Sequence, residues 1–256
     1  MGFDASWLTL REPADARARN NDVFEQALRH GSPGSSVLDL GCGTGATARA
    51  FAAQGASDID WRLLDNDALL LTHASARHPN ATTHEGDLAD IDALPLEDVH
   101  LVTASALLDL VSQDWLMRLA NRLSRAGTPF YAVLSYDGRM RWTPADPDDA
   151  AVTQAFNAHQ CGDKGFGPAL GPAAGDTAAR IFRDHGFEVT VGQSPWRLGP
   201  QDAALHEALL TGIAGAATQA GCDGAEAWLE RRRSDMVQLS GEIGHVDLLA
   251  VPQGRS

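Results

Sequence analysis

In the first thirty residues, Val23, Phe24, Ala27 and Leu28 recur at helical spacing, and Gly31 with Pro33 stops the pattern; this predicts a helical arm over residues 1–30. From Val37 onward, short apolar runs alternate with helical stretches: SSVLDL then ATARAFAAQ, DIDWRLLD then ALLLTHASARH, ATTHEGD, VHLVTASALLDL then DWLMRLANRLSRA, and TPFYAVLSY. Such a rhythm builds a parallel sheet covered by helices on both faces, with five strands readable between Val37 and Tyr136. After Tyr136 it breaks. Residues 137–175 hold six Gly and four Pro, which predicts a loop-rich insertion of the kind that forms lids. A helix DTAARIFRDHG, a strand FEVTVGQSPW and a last strand HVDLLAVP from His245 follow. Between those strands, Leu205, Leu209 and Ile213, then Trp228, Leu229 and Met236, mark two helical stretches within a second insertion at 199–243. The predicted fold is α/β, one domain over 1–256, doubly wound, with a core at 31–136 and two lid insertions.

Composition adds exclusions. At 44% hydrophobic and 21% charged residues the chain is globular in character, and its net charge is −14. Nucleic-acid binders gain affinity by neutralising phosphates, so this balance disfavours a nucleic-acid partner. The one short basic run, Arg231 to Arg233, is expected on a solvated helix face. Three cysteines, Cys42, Cys161 and Cys222, suggest neither a disulfide framework nor a metal site and fit a reducing, cytoplasmic setting. The longest apolar stretch, LVTASALLDLV, has eleven residues and includes Asp109, so no membrane segment is expected.

The strongest chemical feature is VLDLGCGTG, residues 37–45, where an apolar strand runs into Gly41, Gly43 and Gly45 and then a helix. Such a turn lets backbone approach a nucleotide-like ligand closely, although the glycines alone also suit a dinucleotide or a plain tight turn. Asp39, two positions before the first glycine, separates the ligands: beside a pyrophosphate its carboxylate repels, beside an ammonium or sulfonium it attracts. Asp65 closes the next strand, placed to accept from ribose hydroxyls or to cap the following helix. Asp87, after the third strand with Leu88 beside it, suits an adenine amine or an ordinary turn.

VLDLGCGTG, LLDND, GDL and VTASALLDLV together resemble the class I, seven-stranded, Rossmann-like S-adenosylmethionine-dependent methyltransferases, in order and spacing from about Val37 to Tyr136. The resemblance implies a sixth strand and an antiparallel seventh, matched by FEVTVGQ and HVDLLAVP. It implies S-adenosyl-L-methionine as cofactor: the Gly41–Gly45 loop on the methionine part with Asp39 behind it, Asp65 with Asn66 at the ribose, Asp87 with Leu88 at the adenine, and Ser105 at the end of the fourth strand nearby. WLTLREPADARAR and HQCGDKGFGP are associated with a bacterial subgroup of these enzymes.

Methyl transfer to a hydroxyl or ammonium needs alignment, desolvation and a base. Asp109, at the mouth of the crevice in an apolar run, is a candidate base or a helix-capping residue. Tyr136 and His159 are further catalytic candidates, and Trp142, Lys164 and Phe166 in the insertion are candidates for the acceptor. In the arm, Arg11 is placed to meet the cofactor carboxylate, with Trp7 and Arg17 near it, unless the arm is simply a salt-bridged helix. No metal site is expected, and no DPPY-like sequence follows the fourth strand. The expected function is methylation of a small-molecule metabolite. The alternatives are RNA or protein methylation, a noncatalytic S-adenosylmethionine-binding module, and an NAD(P)-dependent oxidoreductase, which Asp39 disfavours.

Overall fold

The structure, a computed structural model, describes residues 4–254, so the first three residues of the arm lie outside them. Two helices open the chain, α1 (Ala5–Ala18) and α2 (Asn21–His30). Strands and helices then alternate through β1 (Ser36–Leu40), α3 (Ala46–Ala53), β2 (Asp60–Asp65), α4 (Ala68–Arg77), β3 (Thr82–Glu85), β4 (Leu101–Ser105), α5 (Gln113–Ala126) and β5 (Phe130–Thr143). The remainder is α6 (Asp149–Gln160), α7 (Ala174–Asp184), β6 (Phe187–Gln193), β7 (Trp196–Leu198), α8 (Ala203–Gln219), α9 (Ala225–Ser234) and β8 (Ser240–Pro252).

The strands form one sheet in the order β3-β2-β1-β4-β5-β8-β6. β1 to β5 pair in parallel, and β8 runs antiparallel to both β5 and β6. This is the doubly wound, Rossmann-like arrangement, with β8 as the expected antiparallel strand. Beyond the seven expected strands, the three-residue β7 pairs with the far end of β8. Among the described residues no helix is long and apolar enough to cross a membrane.

Every residue of β1 is buried, because the strand is covered on both faces. Its alternation splits the core. Val37 packs with Phe24, Phe51 and Tyr131 on one face, and Leu38 and Leu40 with Trp115, Leu116 and Leu119 on the other. The α5 helix is well specified: the Ser112 side chain accepts from the Trp115 N–H, one face is apolar, and Gly127 at φ 69° ends it.

The insertions differ from the expected loops. β5 does not stop at Tyr136 but continues to Thr143, because β8 begins at Ser240 and pairs with it residue by residue through Trp142 and Gly241. Register shifts after Ala132 and after Tyr136 bend this ribbon out of the sheet. Residues 149–160 are helix, and much of the insertion's Gly and Pro falls after it, between Gly162 and Pro172. Arg232 is not on a solvated face. It is fully buried between the rings of Trp142 and Trp228, at 5.9 and 5.7 Å, donates to the Pro144 carbonyl at 2.6 Å and pairs with Asp149. Its neighbours Arg231 and Arg233 pair with Asp146, Asp148, Glu207 and Glu230.

At the first bulge Leu134 has φ 55°, and its N–H leaves the ladder. Asp247, fully buried on β8, accepts that N–H at 2.8 Å and, with its other oxygen, the Asn20 N–H between α1 and α2, also at 2.8 Å. Asp247→Ala strands both amides, so unfolding in urea should show a loss of about 2–6 kcal/mol, at about 1–3 kcal/mol per buried unpaired group.

Candidate active site

Gly41, Gly43 and Gly45 all lie at positive φ, 63°, 54° and 81°, as the turn from β1 into α3 requires. Two neighbours close in on it. A Cβ on Gly43 would stand 2.9 Å from Leu8 Cδ1 of α1, and one on Gly45 would stand 2.6 Å from the His78 ring. The arm is fastened there by Glu12 and Arg49, paired twice at 2.6 and 2.7 Å, and Arg49 also donates to the Thr44 carbonyl.

Asp65 ends β2 and holds the turn from the side, accepting the Gly43 N–H at 2.8 Å on one oxygen and the Asp67 N–H at 3.0 Å on the other. The cap of α4 is Asp67, so Asp65 remains at the strand end with one backbone bond on each oxygen and further acceptor capacity. Asn66, beside it, is exposed. Asp39 is only 1% exposed. Thr103 Oγ1 donates to its Oδ1 at 2.6 Å, whereas Oδ2 has no partner among the described residues. Burial pushes the Asp39 carboxyl up to about 7, against the opposing effects of Thr103 and of the Arg19 charge.

On the far side of the turn, Asp87 is exposed and accepts the Ala89 N–H at 2.8 Å, a turn contact that leaves its other oxygen open. Leu88 is buried, and its carbonyl accepts from Trp115 Nε1 at 2.7 Å. Phe166, expected at the acceptor, packs instead against Trp115 at 5.9 Å and so stands beside the Leu88 side of the crevice. Ser105 ends β4, half-buried, and is followed by Ala106 at φ 50°.

Beyond β4 a second set gathers. Asp109 has one oxygen, Oδ1, buried and without a partner among the described residues, and burial pushes its carboxyl up to about 6. Tyr136 donates to Asn157 Oδ1 at 2.8 Å, and its ring meets Phe156 at 5.6 Å and His245 at 6.1 Å. His245 faces Trp196 at 5.1 Å, and Trp196 faces Trp7 at 6.5 Å, which extends an aromatic row from α6 to α1. Burial holds the His245 ring neutral, with its pKa pulled down to about 3. Arg11, expected at a cofactor carboxylate, stacks over Trp196 at 5.0 Å and is bonded twice to Asp15. Arg17 pairs with Asp202.

Three acceptor-side expectations are placed elsewhere. His159 turns towards α8, with Nε2 3.0 Å from Gln219 Oε1, because residues two apart on a helix point to opposite sides and Asn157 takes the side facing Tyr136. Lys164 donates to the His159 carbonyl at 3.3 Å. Trp142 stands six residues beyond Tyr136 along β5, packed with Trp228, His206 and Arg232. Three contributors escaped the sequence reading: Thr103, a hydroxyl inside the apolar run LVTAS; Asn157, hidden by reading its helix as loop; and His245, a polar residue opening an apolar run. Among the described residues no cluster of three or more His, Cys, Asp or Glu is placed to hold a metal.

The Asp109 environment has a measurable consequence. Its folded pKa of about 6 lies above the ordinary carboxylate value, so the folded state holds an extra proton between about pH 4 and 6. The resulting cost is absent below pH 4 and complete above 6. Urea unfolding of Asp109→Asn should therefore show a variant gaining about 2–3 kcal/mol on the wild type between pH 4 and 8; a constant difference would contradict the burial argument.

Known proteins resemble the chain over this part of the fold. Residues 37–130 match the family model described as a methyltransferase domain. A Streptomyces venezuelae protein, dTDP-3-amino-3,4,6-trideoxy-alpha-D-glucopyranose N,N-dimethyltransferase, is 33% identical over 76 residues, 30% of this chain and 31% of that one. An uncharacterised 37.1 kDa protein in a Streptomyces fradiae transposon is 28% identical over 193 residues, covering 73% of this chain and 52% of its own. The chain thus spans about half or less of the curated relatives it matches. Among solved structures, geranyl diphosphate C-methyltransferase from Streptomyces coelicolor superposes with a TM-score of 0.50 at 14% identity, over 94% of this chain and 81% of that one, a likeness of fold. Residues 37–130 thus match a methyltransferase domain, within a chain whose Rossmann-like fold is shared with a solved methyltransferase.

Proposed function

We propose that the protein is an S-adenosylmethionine-dependent methyltransferase that acts on a small-molecule acceptor. The observation that carries this reading is the convergence of three carboxylates, Asp39, Asp65 and Asp87, on the glycine turn at the ends of β1 to β3, with acceptor capacity left on each. Their charges oppose a pyrophosphate and favour a ligand with an ammonium, a sulfonium and a ribose. Asp65 holds the ribose hydroxyls, Asp87 and Leu88 the adenine, and Asp39 faces the amino group. The cofactor, when bound, supplies an electrophilic methyl group.

The acceptor side is assigned to Asp109, Tyr136, Asn157 and His245 under the aromatic row, with α1 and the α6 segment closing over it. A carboxyl near pH 6 stays protonatable yet ionised at neutral pH, which suits Asp109 to take the proton that an attacking hydroxyl or amine gives up. His245, held neutral, adds polarity without charge. A small molecule is favoured over RNA by the charge of −14. The relatives named above act, by their names, on an amino sugar nucleotide and on geranyl diphosphate, which supports the small-molecule reading in kind. Free cysteines fit the cytoplasm.

The packing of Leu8 against the glycine turn favours a second reading, a noncatalytic module whose arm seals the cofactor in. Transfer of label from cofactor to any metabolite of a cell extract, read by mass spectrometry, separates the two. Calorimetry should show binding of S-adenosylhomocysteine and none of NADH; the reverse removes the reading. Asp65→Ala should weaken that binding about 10- to 100-fold, the value of a charge-assisted bond to the ligand.

A proton linkage follows from Asp39. Its carboxyl sits near 7 in the free protein, and a bound ammonium favours the ionised form. Affinity for S-adenosylhomocysteine should rise as pH increases from 5.5 to 7, approaching tenfold per unit at the low end, and level off above. Asp39→Asn should flatten that slope, read by calorimetry across the range.

A further inference from the structure

At the end of the crevice around Tyr136, most hydrogen-bond donors are spent within the protein. Asn157 Nδ2 donates to the Gly138 carbonyl at 2.9 Å, which turns Oδ1 towards Tyr136, so the Tyr136 hydroxyl donates and only its lone pairs remain. His245 Nδ1 lies 3.0 Å from the Ile243 carbonyl, which can only accept. The ring proton is therefore on Nδ1, and Nε2, with no hydrogen bond among the described residues, is left as an acceptor. Trp196 Nε1 donates to Asp15 at 2.9 Å, and Arg11 gives its Nε and one terminal nitrogen to the same carboxylate. Arg11 Nη1 and the Trp7 indole nitrogen, both on α1, have no protein acceptor among the described residues, and Asp15 already answers the Arg11 charge.

What the sheet leaves open there are acceptors. Backbone N–H groups of Asp109 and Tyr136 lie against the Asp109 carboxyl, yet its Oδ1 makes no hydrogen bond among the described residues. Tyr136 stands directly across from His245 in the β5–β8 pairing, and the Asp109 charge acts on the Tyr136 hydroxyl. The Arg11 charge acts on both Asp109 and His245, and the Asp137 charge on both Tyr136 and His245. Asp109, Tyr136 and His245 are thus neighbours, bordered by the rings of Phe156 and Trp196. Together they offer a carboxylate oxygen, a hydroxyl oxygen and an imidazole nitrogen. An anionic group placed among them is repelled by Asp109, and an alcohol brings one hydrogen for three acceptors. An ammonium brings three hydrogens and the opposite charge, and aromatic rings suit it.

We propose that the methyl acceptor is a primary amine, bound as its ammonium with one N–H each to Asp109, to His245 Nε2 and to the Tyr136 hydroxyl oxygen. This deepens the proposed function and rests on it. One proton passes from the nitrogen to the Asp109 carboxylate, which burial has brought to a pKa of about 6. The freed lone pair forms the new nitrogen–carbon bond, the carbon–sulfur pair withdraws to sulfur, and the positive charge passes from sulfur to nitrogen. His245 and Tyr136 keep the two remaining N–H groups, which fixes the direction of the lone pair. Asp109 gives its proton to water as the product leaves.

Blocking amines tests the assignment. The small molecules of a cell extract are treated with the N-hydroxysuccinimide ester of acetic acid and then with hydroxylamine, which leaves primary amines acetylated and hydroxyls free. The reagents are quenched before the protein and methyl-labelled S-adenosylmethionine are added. Label transfer should be lost relative to untreated extract, and fragmentation of the untreated product should place the label on nitrogen. Asp109→Asn, the variant expected to gain stability, should transfer about 100-fold more slowly near pH 7, at the lower range of general-base catalysis. Its rate should then climb about tenfold per unit up to about pH 9, because it draws on amine deprotonated in solution, while the wild type stays level. His245→Phe should lower the rate about 10-fold, the worth of a bond to a charged donor, and His245→Gln, which keeps an acceptor, should restore part of it. Transfer that survives acetylation, or label on oxygen, carbon or sulfur, overturns the amine and leaves the methyltransferase reading standing. A loss in Asp109→Asn that is the same at every pH, or equal losses in His245→Phe and His245→Gln, overturns the placement at these groups. No transfer to untreated extract, with S-adenosylhomocysteine still bound, removes the catalytic reading and this inference with it.

Discussion

The Asp247 carboxylate holds together the point at which the sheet ceases to be regular. A bulge in β5 turns the Leu134 N–H out of the ladder, and a buried amide must be answered. Because the answer comes from a carboxylate with two oxygens, the second is free to bind the Asn20 N–H and so anchors the α1–α2 junction over the sheet. With the Glu12–Arg49 pair, that anchor sets the arm over the sheet, with Leu8 on the glycine turn and Arg11 and Trp7 along the aromatic row.

Burial acts on both halves of the crevice. At the glycine turn, Asp65 is bonded to backbone on both oxygens and Asp39 to the Thr103 hydroxyl on one, so desolvation is partly offset. At the acceptor end, Asp109 is left with an unpaired oxygen, and His245 is too deeply buried to carry charge. Here a carboxyl ionises late and an imidazole stays neutral, beside an Arg11–Asp15 pair that neutralises itself. Asp39, pushed up further still and with one buried oxygen unpartnered among the described residues, shows the same effect at the glycine turn.

The core and the glycine turn were legible in the sequence because local rules settle them. Buried parallel strands read as apolar runs, and a glycine turn after such a run has few alternatives. The acceptor end was not, for reasons visible in particular residues. Asn157 and His159 share a segment rich in turn formers nearby, and only the helix that α6 forms decides which of them faces Tyr136. His245 meets Tyr136 through antiparallel pairing across more than a hundred residues, and Trp196 meets Trp7 where β7 packs on α1, which no local pattern encodes. Arg19 reads as one of four arginines in a polar arm, and its burial appears only when α2 packs on the sheet. Arg232 was misread for the same reason, as part of a basic run whose middle member turns inward.

That inward turn bears on how such a chain can change its acceptor over time. Arg232, at the end of α9, is satisfied by Asp149, by the Pro144 carbonyl and by the Trp142 ring, all from the insertion after β5, and Trp228 donates to the same Asp149. The two insertions, separated by residues 176–198 of the core, are therefore joined by a buried charged pin, with the exposed Arg231 pairs to Asp146 and Asp148 beside it. Exchanging either one alone would leave a guanidinium or a carboxylate buried without its counterpart, so the two segments can be replaced only as a matched pair.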